Sequence, residues 1–259
     1  MTTPKTILFI HGMFMNSSCW DDWMRFFSGK GYSCLAPSWP GHEGSVKELR
    51  EKHPSASLEK LTLGDVVRFF EEKINGLPGK PVLIGHSMGG LAVQLLLNRG
   101  LASAGIAVDP APPKGVFSFK WSFLKSNLPV VNPLKGNRPD LMSLKRFRYA
   151  FVNGMSESEQ ENAWTRYVVP ESRNVPRSST KNDGKADFRK AHDPLLIIAG
   201  GNDHIIPPSL NRKNFEKYKA VGSVTEFKEF PGRNHFTIGQ PGWEEVADFC
   251  EKWINRNVK

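Results

Sequence analysis

Cysteine is scarce in this 259-residue chain, which holds only Cys19, Cys34 and Cys250. An odd count at such wide spacing supplies neither a disulfide framework nor a metal-binding motif, and it points to a reducing compartment. Long apolar runs are absent as well. The first, Ile7 to Ile10, is too short for the core of a secretory leader and far too short to cross a bilayer. A soluble, cytoplasmic protein without stable membrane insertion is therefore expected. No internal repeat or low-complexity tract is present, and nothing in the sequence calls for a metal or a cofactor. Acidic residues are thin in one region. Residues 114–190 carry 15 Lys/Arg against seven Asp/Glu, whereas the segments before and after are nearly balanced. Most of the formal net charge of +9 thus falls in the middle of the chain. Such charge attracts anionic substrates or surfaces, although a well-solvated surface segment accounts for it first. No nucleic-acid motif accompanies it, so nucleic acid is not an expected partner.

What is present is an apolar content of 39%, sufficient for a large core. The length suits one α/β domain with an insertion better than two independent domains. Short apolar runs at Lys5 to Ile10, Ser33 to Ala36, Val82 to Ile84, Gly105 to Val108, Leu195 to Ala199 and Val224 to Phe230 read as strands. Between them lie helical patterns. Trp20, Trp23, Met24 and Phe27 recur at helical spacing over Ser18 to Phe27, as do Leu63, Val66, Val67, Phe70 and Ile74. Leu91 to Leu97, Asn211 to Lys219 and Glu244 to Asn255 also read as helices. The stretch from His42 to about Lys60 is polar and carries no stripe. Six short strands alternating with helices predict a mostly parallel six-stranded sheet covered on both faces.

Residues 113–190 break this rhythm. The Pro110, Pro112 and Pro113 cluster marks the boundary, and two to four helices with no sheet strand are expected beyond it. Ser156-Glu157-Ser158-Glu159 has the form of a capping box opening a helix. Residues 171–190 read as a return loop. The core is then 1–112 with 191–259, and 113–190 is a helical cap over one sheet edge, where open α/β sheets bind ligands.

Gly85-His86-Ser87-Met88-Gly89 joins a strand to a helix. A G-x-S-x-G sequence in that setting forms a sharp turn that lifts the serine clear of the sheet. Three fixed residues alone leave an ordinary strand–loop–helix open. A nucleophilic serine also needs a base, an orienter and donors for the developing oxyanion. Asp203 and His235 each follow a strand, in the order Ser, acid, His. Asp109 ends a strand too and competes as the acid. His204 adjoins Asp203 and reads as local structure. His42, His53 and His192 have no partner suggested by the sequence.

With these residues in view, the chain resembles the α/β-hydrolase superfamily along nearly its whole length, through His11-Gly12, Pro40-Gly41-His42, Gly85 to Gly90, Gly201-Asn202-Asp203 with Pro207, and Gly232 to Phe236. The resemblance implies a helical cap after the strand ending at Asp109. It implies Ser87 as nucleophile, Asp203 as acid, His235 as base, and the backbone N–H groups of Met13 and Met88 as oxyanion donors. His11 is expected to hold the oxyanion loop. A serine at this position excludes the related dehalogenases and epoxide hydrolases, which use aspartate. The expected activity is cleavage of a small to medium, mostly apolar carboxylic ester, with perhydrolase, lactonase, thioesterase or carbon–carbon hydrolase chemistry, or a non-catalytic receptor, as alternatives. Phe14, Trp39, Trp121, Phe147 and Trp164 are candidate substrate-binding residues, although internal packing accounts first for each aromatic of the inserted segment.

Overall fold

The computed structural model describes residues 5–258. The terminal residues 1–4 and 259, which complete the two expected core segments, lie outside the described residues. The apolar runs form strands β1 (Thr6–Ile10), β2 (Ser33–Leu35), β3 (Val82–His86), β4 (Ala104–Val108), β5 (Leu195–Gly200) and β6 (Thr225–Phe230). They make one sheet in the order β2-β1-β3-β4-β5-β6, and every pairing is parallel. Burial follows position. β3, β4 and β5 are buried at every residue, which is why they read as unbroken apolar runs. The edge strands β2 and β6 keep polar residues such as Ser33, Glu226 and Lys228.

Helices cover both faces. On one side α1 (Asp21–Gly29) packs with α11 (Trp243–Asn257), the rings of Trp23 and Trp243 lying 6.1 Å apart. On the other side are α4 (Leu63–Asn75), α5 (Met88–Asn98) and α10 (Pro208–Lys217). Positions Met88 to Leu97 of α5 are all buried, because the sheet lies on one side and α4 and α10 on the other. Its one polar side chain in that run, Gln94, is satisfied. Its carbonyl accepts from the Asn214 amide at 2.9 Å and the Tyr218 hydroxyl at 3.0 Å.

Two stretches differ from expectation. The polar segment before Lys60 contains two short helices, α2 (Val46–Glu51) and α3 (Ala56–Lys60). Each buries a single leucine, Leu49 or Leu58, so neither leaves an apolar stripe to read. The expected return loop 171–190 holds α9 (Asn174–Ser179) and a 3₁₀ turn at Asn182–Gly184.

Between β4 and β5 the chain carries α6 (Trp121–Val131), α7 (Leu144–Ala150), α8 (Glu157–Tyr167) and α9. The capping box at Ser156 and Glu159 opens α8. An antiparallel bridge between Asp140 and Glu171 ties the stretch between α6 and α7 to the stretch between α8 and α9. Arg173 reinforces it, pairing with Asp140 at 2.8 Å and donating to the carbonyls of Pro129, Val130 and Arg138. The segment is fastened over the carboxyl ends of the strands. Val169 N–H donates to Phe14 O at 2.9 Å, Phe236 N–H to Phe151 O at 3.1 Å, and Asn234 Nδ2 to Asn153 O at 3.0 Å.

Candidate active site

β3 delivers Ser87 and α5 begins at the next residue. To make that turn, Ser87 takes φ 54° and ψ −117°, a conformation that an L-residue holds only at a cost. The turn closes because Gly85 and Gly89 have no side chains. A Cβ on Gly85 would overlap the carbonyl of Gly89, and one on Gly89 would overlap the carbonyl of Ile10. The strain is not solitary. Phe14 (φ 62°) and Asp109 (φ 45°) are the other non-glycine residues with positive φ among those described, and both follow a sheet strand.

The loop after β6 brings His235 to Ser87. The Ser87 Oγ–His235 Nε2 distance is 2.9 Å, and His235 Nδ1 lies 2.6 Å from Asp203 Oδ2. The other carboxylate oxygen of Asp203 accepts from the amides of Ile205 at 2.7 Å and Ile206 at 2.8 Å. His235 is wholly buried, and burial pushes its pKa down to about 3. The imidazole is therefore neutral at ordinary pH, with Nδ1–H held by Asp203 and the Nε2 lone pair free to receive the serine proton. Burial raises the Asp203 carboxyl, and the two amide donors pull it back. His86 supports this arrangement from below, its Nε2 lying 2.7 Å from the carbonyl of His235.

Asp109 sits within the same cluster but makes a different bond. Its Oδ1 accepts from Gly200 N–H at 2.5 Å, and its Oδ2 has no partner among the described residues. Burial, and then the neighbouring Asp203, hold its carboxyl well above the usual range. Asp109, His86 and His235 each offer a ligand atom within 4.8 Å of the others. Both nitrogens of His235 are already engaged by Ser87 and Asp203, so a metal there would have to displace the relay.

The loop after β1 faces Ser87 from the other side. The backbone N–H groups of Met13 and Met88 have no acceptor among the described residues. His11 donates from Nδ1 to Gly12 O at 2.9 Å and accepts from Trp39 N–H at Nε2 at 3.1 Å, which fixes its tautomer. A second fastener is Glu171, wholly buried. Its Oε2 accepts from Phe14 N–H at 3.1 Å and faces His42 Nε2 at 3.2 Å, while its Oε1 accepts from Ser172 N–H at 2.6 Å. No local pattern in the sequence announces this residue. His42 and Phe14 lie 129 and 157 positions away.

An apolar cavity of about 330 Å³ begins at Met88, beside Ser87. Ala111, Val116, Phe123, Leu124, Val131 and Ile206 are among its walls. The aromatic candidates fall elsewhere. Trp121 stands at the start of α6 with 72% of its surface in solvent. Trp39 is buried against His11 and His42. Trp164 donates to Met142 O and lies under the Arg50 guanidinium. Phe147 stacks on Phe151, whose ring is 4.9 Å from that of His235. Phe14 is buried and reaches the site through its backbone.

A sequence profile of the alpha/beta hydrolase family matches residues 7–249. The chain belongs to the alpha/beta hydrolase family. Among curated proteins, a pyrethroid hydrolase of Sphingobium wenxiniae is 21% identical over 96% of this chain and 89% of its own. Among solved structures, the monoacylglycerol lipase of Paleococcus ferrophilus superposes with a TM-score of 0.70 at 19% identity, covering all of this chain and 97% of that one. An extracellular alpha/beta-hydrolase of a Paenibacillus species gives 0.72 at 19% identity over 96% and 98%. At these identities the solved structures establish the shared fold.

Proposed function

We propose that this chain is a serine hydrolase that cleaves a carboxylic ester of small to medium size with a mostly apolar acyl or alcohol part. The observation that carries the reading is the hydrogen-bonded series Ser87 Oγ, His235 Nε2, His235 Nδ1, Asp203 Oδ2 at 2.9 and 2.6 Å. Ser87 attacks the ester carbonyl as His235 takes its proton. The imidazolium that forms is stabilised by Asp203. Negative charge moves onto the carbonyl oxygen and is received by the N–H groups of Met13 and Met88, each such donor contributing about 10²–10³ in rate. His235 then protonates the departing alkoxide. Water, deprotonated by the same imidazole, releases the acid and restores Ser87.

The apolar cavity beside Met88 supports an apolar ester. The name of the curated relative, a pyrethroid hydrolase, supports a hydrolase reading. The inserted helices are the cap of this enzyme, spanning roughly residues 113–190.

The test is covalent. A fluorophosphonate should add one label per chain to the wild type and none to Ser87→Ala. An unlabelled wild type, or a Ser87→Ala variant with undiminished turnover, ends the hydrolase reading in favour of a non-catalytic binding protein. A panel of p-nitrophenyl esters, lactones, thioesters and peracid-forming conditions then ranks the chemistries that this geometry serves.

A further inference from the structure

The surface built by α6 and the segments on either side of it, residues 114–138, is unusual in two independent ways. It exposes large apolar side chains: Phe117 at 57%, Phe119 at 81%, Trp121 at 72%, Leu128 at 54% and Leu134 at 93%. Soluble proteins scatter such residues singly, and a cluster of them marks a binding surface. It also carries charge of one sign. From Pro110 to Pro139 there is no Asp or Glu, while Lys114, Lys120, Lys125, Lys135 and Arg138 are all present. All five are exposed, and none forms an ion pair among the described residues.

The two properties share one surface. Trp121, Lys125 and Leu128 are spaced four and three residues apart and form the outward stripe of α6. Phe117 and Phe119 alternate with the buried Val116 and Ser118, and their rings meet edge to face at 4.9 Å. Phe117 and Leu128 are exposed, yet both line the cavity that starts at Met88. They are its rim. One neighbouring acid, Glu216 of α10, approaches Phe119 and is flanked by Lys213 and Lys217.

We propose that this face docks the protein on an anionic lipid surface and that the cavity opens toward the bilayer there. A bilayer supplies both things the face presents a demand for: an apolar layer for Phe119, Trp121 and Leu134, and phosphate or carboxylate headgroups for the lysines. A second copy of the chain fits worse. A two-fold interface would set these five cations against their own images. The docking stands without any assumption about catalysis. Delivery of a substrate acyl chain from the bilayer rests in addition on the ester hydrolase reading.

The experiment is sedimentation with vesicles, performed on Ser87→Ala so that no lipid is consumed. Vesicles of phosphatidylcholine with about 30% phosphatidylglycerol are compared with phosphatidylcholine alone, at low salt and at a salt concentration that shortens the Debye length to about 3 Å. Preferential binding to the anionic vesicles that weakens with salt is expected. Adding Phe119→Ser and Trp121→Ser should weaken it by about tenfold or more, and Lys120→Gln with Lys135→Gln should reduce the salt dependence. In the wild-type background, the Phe119→Ser, Trp121→Ser pair should turn over a soluble short-chain ester as before, since both side chains project into solvent.

Equal binding to neutral and anionic vesicles overturns the proposal, as does equal binding by the aromatic variant. A concentration-dependent dimer that the aromatic variant converts to monomer overturns it too, and assigns the face to self-association. Failure of the hydrolase reading is seen separately, as vesicle binding by a wild type that takes up no fluorophosphonate.

Discussion

Glu171 is the residue whose role follows most directly from its bonds. Its carboxylate oxygens accept from two backbone donors, Phe14 N–H on one and Ser172 N–H on the other, and the first also faces His42 Nε2. In Glu171→Gln the amide nitrogen meets a donor whichever way it turns. A buried N–H without an acceptor costs about 1–3 kcal/mol. Phe14 is held at positive φ immediately after Met13, so the strain relaxes beside the N–H that the proposed oxyanion site would use. Glu171→Gln should therefore lower kcat by about 10–100-fold with little change in KM, because the lost interaction exists only in the transition state. Binding of a boronic acid, whose adduct carries the same oxyanion, should weaken in parallel. A variant with normal kcat and a lower melting temperature alone would reduce Glu171 to a structural fastener. The two candidate acids separate at this scale as well. Asp203→Asn leaves His235 in the wrong tautomer and should cost about 10⁴ in kcat. Asp109→Asn, whose carboxylate binds Gly200 rather than His235, should cost little.

At the scale of elements, legibility tracked how local the cause of each element is. β3, β4 and β5 are apolar because both faces are covered, and that shows in any window of five residues. α4 announces itself by its apolar stripe from Leu63 to Ile74, and α8 by the capping box at Ser156 with Glu159. The elbow at Ser87 is legible because its geometry admits only glycine at Gly85 and Gly89. α2 also opens on a capping box, Ser45 with Glu48, but buries only Leu49, so no stripe accompanies it. By contrast, α3 and α9 are five or six residues long and have no side-chain cap bond at their starts, and α9 is held by a distant partner. Asn174 of α9 donates to the carbonyl of Glu59 in α3. The aromatics of the insertion were similarly unreadable. Nothing local distinguishes Trp121, which points outward, from Phe147, which is wholly buried. The cavity wall is instead made by Phe123, Leu124 and Val131 on the inner face of α6. Leu124→Trp should shorten the cavity. Each excluded methylene forfeits about 0.8 kcal/mol, roughly fourfold in kcat/KM. The variant should thus discriminate progressively against p-nitrophenyl esters of longer acyl chain while sparing the acetate. A uniform loss at all chain lengths would place the acyl site elsewhere.

For the whole molecule, the site brings together ionisable groups that the fold must keep in particular protonation states. His11, His86 and His235 are wholly buried, and burial lowers the pKa of each. Below about pH 6.5 the unfolded chain takes up protons at these positions that the folded chain refuses, so stability falls as pH falls, by up to about 1.4 kcal/mol per pH unit for each histidine. Asp109 acts in the opposite sense. Its folded pKa is raised, so between the unfolded carboxylate value and that raised value the folded state holds the extra proton. Stability from this group is present at low pH and is lost as pH rises through the window. Asp109→Asn keeps an oxygen for Gly200 N–H and puts a neutral amide beside the hydroxyl of Thr237, in place of a carboxyl that resists ionising. The difference in melting temperature between Asp109→Asn and wild type should therefore grow in favour of the variant from pH 5 to pH 8. The acid-side decline caused by the three histidines should be the same in both proteins. A difference that shrinks with rising pH would show instead that Asp109 is ionised in the folded state and that its charge is compensated within the cluster.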